Sequence, residues 1–255
     1  MLYGKLPVVL LSITATAKSD SINSLLASYI LQHAEKVAGM GIKELAADCH
    51  VGVGSVSRFC REIGLESYSE LQQLLSIPET EFQRLPFSSA EMAAGLAEKV
   101  GDGLMLAAGS VDMEQVHALC RDIRDYPRVA AFGLMKGAAA ALCLQSDLLL
   151  LGRQIYTNIS YPEQLDYIAH ADKNDLILLF SYTGSYFDYP GDRVLPENIY
   201  TPQIVLITGA DRPCPSYIDR VLSFSSRQDQ ASHPYQLQLM AGLIAQEYAR
   251  IAGIS

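Results

Sequence analysis

Residues Gly41 to Tyr68, GIKELAADCHVGVGSVSRFCREIGLESY, decide how the chain is read. Ile42, Leu45 and Ala46 share one face of a short helix that Gly41 can cap weakly, and Val56, Phe59, Cys60 and Ile63 share one face of a second. Between them runs Cys49-His50-Val51-Gly52-Val53-Gly54, where Val51 is expected to plug the core and Gly52 and Gly54 to allow a tight turn. Gly64 is expected to stop the second helix as a C-cap. Upstream, Asp20 or Ser21 can cap a helix from Ile22 to about Val37, with Leu25, Leu26, Tyr29 and Ile30 on one face. Three short helices closing on one core form the smallest helix-turn-helix, whose last helix enters the major groove of DNA. The side chains left off the buried set are Ser55, Ser57, Arg58 and Arg61. Arginine suits bidentate contact with guanine or phosphate, hydroxyls bond phosphate, and Gly52 and Gly54 leave backbone bare for close approach. These six are the expected DNA-binding residues. On spacing alone, a plain helical bundle with Arg58 and Arg61 as solvated charges is the alternative.

Composition sets bounds on this reading. A length of 255 residues accommodates two domains, and 49% apolar against 18% charged residues marks a globular chain. The net charge of −9 is unfavourable for a nucleic-acid binder, but it is unevenly spread. Residues 1–77 hold six Lys/Arg and seven Asp/Glu, whereas the remainder holds 13 against 21. DNA affinity is therefore expected from a few placed cations, helix N-termini and dimerisation. The five cysteines show neither C-x-x-C nor zinc spacing, so no metal or disulfide framework is expected, and they read as reduced core residues. No apolar run approaches the ~20 residues of a membrane span. The N-terminus imitates a secretory signal poorly, since one base precedes an apolar run that Pro7 interrupts. It is expected instead to be an apolar strand or helix docked on the first domain of a cytoplasmic protein.

The division expected is a helix-turn-helix domain at 1–77, a linker at 78–89 bracketed by Pro78 and Pro86, and a second domain at 90–255. Two helices, Ala90 to Ala108 and Asp112 to Arg124, precede short apolar runs at 129–132, 154–157, 176–180, 204–208 and 221–224. The layout suggests that the two helices serve dimer packing. Helices fit at 137–151, 162–171 and 233–252. Continuous apolar strands with helices between them predict a parallel sheet covered on both faces, with ligands outside the carboxyl ends of its strands. At one such end stands Phe180-Ser181-Tyr182-Thr183-Gly184-Ser185, whose hydroxyls and glycine can hold a phosphate; a polar turn ending a strand is the plainer reading.

The run VGVGSVSRFCREIGLESYSEL resembles the N-terminal signature of RpiR-type transcriptional regulators, and the match extends from about Ile22 through Leu75, with Ile42, Glu44, Leu45, Ala46, Val51, Val56, Ser57, Arg58, Phe59, Cys60, Gly64, Leu65 and Tyr68 as its specific positions. That family usually has Ser where this chain has Gly52, a weaker cap. The layout behind it resembles the sugar isomerase (SIS) domain of the same regulators. The resemblance implies an α/β chain: an all-α helix-turn-helix domain followed by a doubly wound parallel-sheet SIS-like domain. It further implies that Ser181, Thr183 and Gly184 hold a sugar phosphate, with Ser185 beside them. Phe132-Gly133-Leu134-Met135-Lys136-Gly137 takes the place of the family's Gly-x-Gly-x-Ser loop, with Met135 for the second Gly, Gly137 for the Ser, and Lys136 as a compensating charge. Gly133 and Lys136 thus join the expected ligand site; the alternative is a pocket that has lost the usual ligand and takes something else or nothing, with Lys136 a surface residue. The family's Thr after the second loop is replaced by Tyr186, and 186–202 departs from the usual helix. His233, at the start of the last helix, is expected to cap its helix or face solvent, with the same crevice as the alternative.

An isomerase needs a placed base, and Glu163, Asp188 and His233 are only nominal candidates, so no catalytic residue and no cofactor is expected. The function expected is a DNA-binding transcriptional regulator acting on a double-stranded operator, sensing a phosphorylated sugar, and forming a homodimer or higher oligomer away from membranes. An isomerase-like enzyme, or a regulator whose second domain is only a dimerisation scaffold, are the alternatives.

Overall fold

The computed structural model describes residues 5–18, 20–76, 82–188 and 199–253. The first helix, α1 (Lys5–Thr16), carries apolar residues around most of its circumference, and Leu6, Val9, Leu10 and Ile13 are buried. Pro7 lies in its first turn, where the missing N–H has no intrahelical partner to lose. The next segment splits into α2 (Ile22–Gln32) and α3 (Ala34–Gly39), not one helix to Val37. The break is at His33, whose φ of −132° and ψ of 33° leave the helical region, and His33 N–H still bonds the carbonyls of Tyr29 and Ile30. Leu26 and Ile30 are buried as expected, whereas Leu25 is exposed, because the narrow apolar stripe of a surface helix leaves it outside.

The central pair is α4 (Ile42–Asp48) and α5 (Val53–Glu62), followed by α6 (Tyr68–Leu75). Leu45, Ala46, Val56, Phe59, Cys60 and Leu71 close one core with Leu26 and Ile30. The hydroxyl of Tyr68 donates to the Met40 carbonyl at 2.9 Å, and the Gln72 amide donates to Ala38 and Met40 carbonyls at 3.1 Å, tying α6 to the end of α3 and the turn before α4.

The second unit begins with α7 (Met92–Ala108) and α8 (Met113–Asp125). Asp112 caps α8 by accepting the Glu114 N–H at 3.0 Å. Then come β1 (Arg128–Gly133), α9 (Lys136–Leu150), α10 (Tyr161–His170), β2 (Asp175–Phe180), β3 (Gln203–Thr208), β4 (Arg220–Ser223) and α11 (His233–Ala252). All pairings are parallel, in the order β1-β2-β3-β4, with Ala131 opposite Leu178 and Leu178 opposite Val205. Val129, Ala131, Leu176 and Leu178 pack toward α8, α9 and α11, while Ala130, Phe132, Ile177 and Leu179 face the cluster that holds Tyr161 and Ile168 of α10. Alternate residues of each strand therefore feed two cores, and the sheet is covered on both faces.

One expected strand, 154–157, is not formed. Only Tyr156 pairs, donating to the Val129 carbonyl at 2.9 Å and accepting from Ala131 N–H at 2.8 Å. Beyond it, Asn158 turns the chain by accepting the Ser160 N–H at 2.8 Å, and Ser160 begins α10. The bridge lies on the edge of β1 away from β2. The chain thus moves outward from β1 through α9 and returns through α10 to the other side, making the gap between β1 and β2 the point where strand order reverses. Of the five free cysteines, Cys49, Cys60 and Cys120 are buried, Cys214 is partly buried and Cys143 is exposed, so the core reading holds for three. Cys143 sits on the outward side of α9, beside exposed Leu142.

Candidate nucleic-acid interface and ligand pocket

Helix α4 ends in a Schellman motif: Val51 N–H bonds the Ala46 carbonyl at 2.9 Å and His50 N–H that of Ala47 at 3.0 Å. The left-handed residue this motif needs is His50, with φ 53°. The glycines expected to make the turn do not supply that conformation, since Gly52 has φ −75° as the N-cap of α5 and Gly54 is helical. What they supply is bareness: a Cβ on Gly54 would meet nothing within 4 Å, and one on Gly52 only the Ser55 hydroxyl at 3.9 Å. Helix α5 ends in a second Schellman motif, Leu65 N–H to Cys60 at 2.8 Å and Gly64 N–H to Arg61 at 2.9 Å, with Gly64 at φ 87° and Leu65 buried.

Across α5, Val56, Phe59 and Cys60 are buried, Ser55 and Ser57 are partly exposed, and Arg58 and Arg61 are exposed. The acids of this domain are largely committed elsewhere. Asp48 accepts from Lys36 at 2.7 Å and from Tyr29 at 2.5 Å, and Glu44 accepts the Gly41 N–H at 2.6 Å. Glu62 accepts from Asn23 at 2.6 Å, and Glu70 accepts the Glu66 N–H at 2.8 Å. The hydrogen bonds from Lys36 and Tyr29 hold the Asp48 carboxyl below its ordinary range. Arg58 and Arg61 enter no ion pair among the described residues, and Lys43 on α4 is a further exposed cation that the sequence reading passed over. A domain of nearly balanced charge thus keeps its arginines available for an outside anion.

The second site lies at the reversal point of the sheet. A cavity of about 380 Å³ opens at the carboxyl ends of β1 and β2. Lys136 at the start of α9, with Ser181, Thr183 and Ser185 after β2, gives it polar groups, and the Thr183 and Ser185 hydroxyls are 2.6 Å apart. Of the expected ligand residues, Gly133 and Gly184 are outside its lining. Gly133 is a packing position, because a Cβ there would stand 2.5 Å from the Gly137 carbonyl carbon and 2.8 Å from the Phe180 oxygen. Gly184 holds φ 65° in the turn closed by its N–H to the Ser181 carbonyl at 2.9 Å. Two backbone donors of the loop are already used, the Ser181 N–H bonding Ile207 across the sheet at 3.1 Å. Any anion must accordingly lean on the hydroxyls and Lys136 more than on those amides.

The loop after β1 bends sharply at Met135, the residue that stands in place of the family's second Gly. Met135 has φ 50° and ψ −104°, a conformation that glycine adopts without cost and that is strained for other residues. Gly137 lines the cavity, but a Cβ there would fall 2.3 Å from the Phe180 carbonyl oxygen, so the backbone arrangement itself excludes a serine.

His233 is not turned to solvent as the sequence reading expected. It is 4% exposed, lines the cavity, and packs against Tyr182 with ring centroids 4.6 Å apart. Burial, aided by the nearby Lys136 charge, lowers its pKa to about 4, so the imidazole is neutral at pH 7. Tyr182 is itself fixed by a hydrogen bond to Ser226, which donates to Gln236 at 2.8 Å. Of the other nominal bases, Glu163 is exposed and Asp188 pairs with Arg212 at 2.7 Å. The remainder of the lining is apolar and includes Val8, Val9 and Leu11 of α1, a contribution that no sequence pattern pointed to. Positions 189–198 of the proline-rich segment fall outside the described residues.

A helix-turn-helix with exposed arginines, joined to an α/β unit with a cavity at its switch point, fits a two-unit class of DNA-binding protein. The comparisons agree with that class. Residues 14–79 match the family model described as the helix-turn-helix domain of the rpiR family. An HTH-type transcriptional regulator of Haemophilus influenzae is 21% identical over 80% of this chain and 74% of its own length. Among solved structures, the Vibrio vulnificus NanR protein complexed with ManNAc-6P aligns over 97% of this chain and 92% of that one, with 17% identity and a TM-score of 0.53. The sugar isomerase domain of an RpiR transcription factor from Sphaerobacter thermophilus covers 64% of this chain and 92% of its own, with 18% identity and a TM-score of 0.51. Residues 14–79 thus match the rpiR-family helix-turn-helix domain, and they stand in front of an α/β unit with the fold of these SIS-domain structures. No described helix is long and apolar enough to cross a membrane.

Proposed function

We propose that the chain binds a phosphorylated sugar in the cavity between β1 and β2, and that occupancy changes how α5 engages its operator. The observation that carries this reading is the placement of Lys136, Ser181, Thr183 and Ser185 around one cavity at the carboxyl ends of the strands where order reverses. That a NanR protein of the same overall fold was solved with ManNAc-6P supports it. Gly52 and Gly54 would let phosphate approach the start of α5, with Ser55, Ser57, Arg58 and Arg61 making the side-chain contacts. Such a domain binds weakly alone and calls for a homodimer, whose two recognition helices fit half-sites ~34 Å apart. The exposed apolar side chains of Leu142, Leu149 and Leu150 on α9, with Met105 on α7, offer the surface for pairing.

Sensing is favoured over turnover because no Asp or Glu is among the described residues lining the cavity, and His233, the nominal base that does line it, is made a weak base by its burial. The test is a thermal-shift series of phosphorylated sugars on the full chain and on Ser181→Ala. At 100-fold saturation a specific ligand adds about 2.7 kcal/mol, several degrees for a chain of this size, and Ser181→Ala should remove most of it. A series in which no phosphate ester raises the melting temperature, or in which wild type and variant respond alike, would overturn the reading.

A further inference from the structure

The polar groups of the cavity make up only part of its wall. Val8, Val9 and Leu11 of α1 form another part, continued by Leu134 and Leu237, and no Asp, Glu, Asn, Gln or Arg lies among the described lining residues. A fully hydroxylated hexose would lose water from several hydroxyls against this wall without gaining partners. Each such unmade bond costs roughly tenfold to a hundredfold in affinity. An apolar substituent there would gain affinity instead. This argument rests on the cavity being the effector site, as proposed above.

We infer that the effector is a phosphate ester carrying a hydrocarbon substituent, such as a sugar phosphate with an alkyl or aryl aglycone, and that this substituent lies against Val8 and Leu11 of α1. The phosphate is held by Lys136 and the hydroxyls of Ser181, Thr183 and Ser185. The consequence reaches the DNA-binding domain directly. Helix α1 packs on α2, and its Leu6, Leu10 and Ile13 share one cluster with Leu26 and Ile30 of α2. On its other side, the Ser12 hydroxyl accepts the Tyr161 N–H at the start of α10 at 3.3 Å. The hydrocarbon part of the ligand therefore touches the element that joins the two domains, and the phosphate alone does not.

The experiment is calorimetric titration of the full chain with inorganic phosphate, glucose 6-phosphate, and the 6-phosphates of methyl, propyl and pentyl β-glucosides. Affinity should rise roughly fourfold per added methylene until the cavity is filled. Hydrogen exchange within residues 6–16 should slow with the longer alkyl ligands and not with inorganic phosphate. In Val8→Thr and Leu11→Gln, both at positions not fully buried, the pentyl compound should weaken by about tenfold and glucose 6-phosphate by less than twofold. The wild-type series needs no variant and stands if either variant fails to fold. Phosphate esters that bind with affinity independent of alkyl length overturn this inference alone. If none of the esters binds, the effector-site reading falls, and this inference falls with it.

Discussion

Glycines 137 and 242 both lie inside helices, yet replacing each by alanine should move stability in opposite directions. In a helix interior Gly→Ala gains up to about 1 kcal/mol through propensity and a less flexible unfolded chain. At Gly242 on α11 a Cβ would meet nothing within 4 Å, so Gly242→Ala should raise the melting temperature by about 1–3 °C. At Gly137 the Cβ would stand 2.3 Å from the Phe180 carbonyl oxygen, a fixed atom of the β2 strand end, where ordinary contact begins at 3.4 Å. The start of α9 must then withdraw from β2 by about 1 Å. Overpacking of this kind costs ~1–3 kcal/mol, which outweighs the propensity gain. Gly137→Ala should therefore lose about 1–2 kcal/mol, and Gly137→Ser should lose as much without gaining phosphate affinity, because its hydroxyl arrives only with a displaced helix. Thermal and urea unfolding of the three variants beside wild type gives the answer. A Gly137→Ala protein as stable as Gly242→Ala would refute the close approach of α9 and β2 on which the cavity geometry depends.

Three further outcomes follow from the geometry. Arg58→Ala and Arg61→Ala should each weaken operator binding by ~1–3 kcal/mol if they read a base, or lower the salt slope by about 1 if they meet phosphate, while unfolding changes by less than ~0.5 kcal/mol; electrophoretic mobility shift at several salt concentrations separates the cases. His233 has a folded pKa of about 4 against 6.5 when unfolded, so it costs nothing above pH 6.5, and stability drains as pH falls from 6.5 toward 4, by up to about 3 kcal/mol. His233→Gln should show a flatter stability profile in that window. The Glu247 carboxyl, held down to about 2 by Arg250 and His117, drains stability at lower pH in both proteins and leaves their difference intact. His50→Gly should stabilise the chain by about 0.5–1 kcal/mol, since φ 53° strains a histidine, and a denaturant midpoint that falls instead would contradict the assigned turn.

What could be read from residues alone was what depends on local periodicity. The faces of α4 and α5, the Gly64 stop, the Asp112 cap and four of the five apolar runs are all set by neighbours within a turn or a strand. The misreadings are long-range or conformational. The run at 154–157 carries as much strand propensity as β4, but the Asn158 turn leaves it one bridge. Gly52 and Gly54 looked like the turn because glycine permits positive φ, whereas His50 is the residue that adopts it. Leu25 and Cys143 lie outside because apolar character does not fix a helix's rotation. In the candidate ligand site the hydroxyl loop stood out through its composition. The roles of Gly133 and Gly137 as contact points between β1, α9 and β2 depend on distances that no local pattern carries. The same holds for α1: its apolar run was visible, its place against both the cavity and α2 was not.

The claim that holds these observations together is that the cavity and the recognition helix are linked. Its most direct measurement is the binding of the full chain to a DNA fragment from upstream of its own coding region, titrated with salt, in the presence and absence of phosphate esters of the sugar series. The account predicts salt-dependent binding that Arg58→Ala impairs, and an affinity that shifts at least fivefold with a binding ester in wild type but not in Ser181→Ala. Operator affinity that is unchanged by an ester shown calorimetrically to occupy the cavity would contradict it.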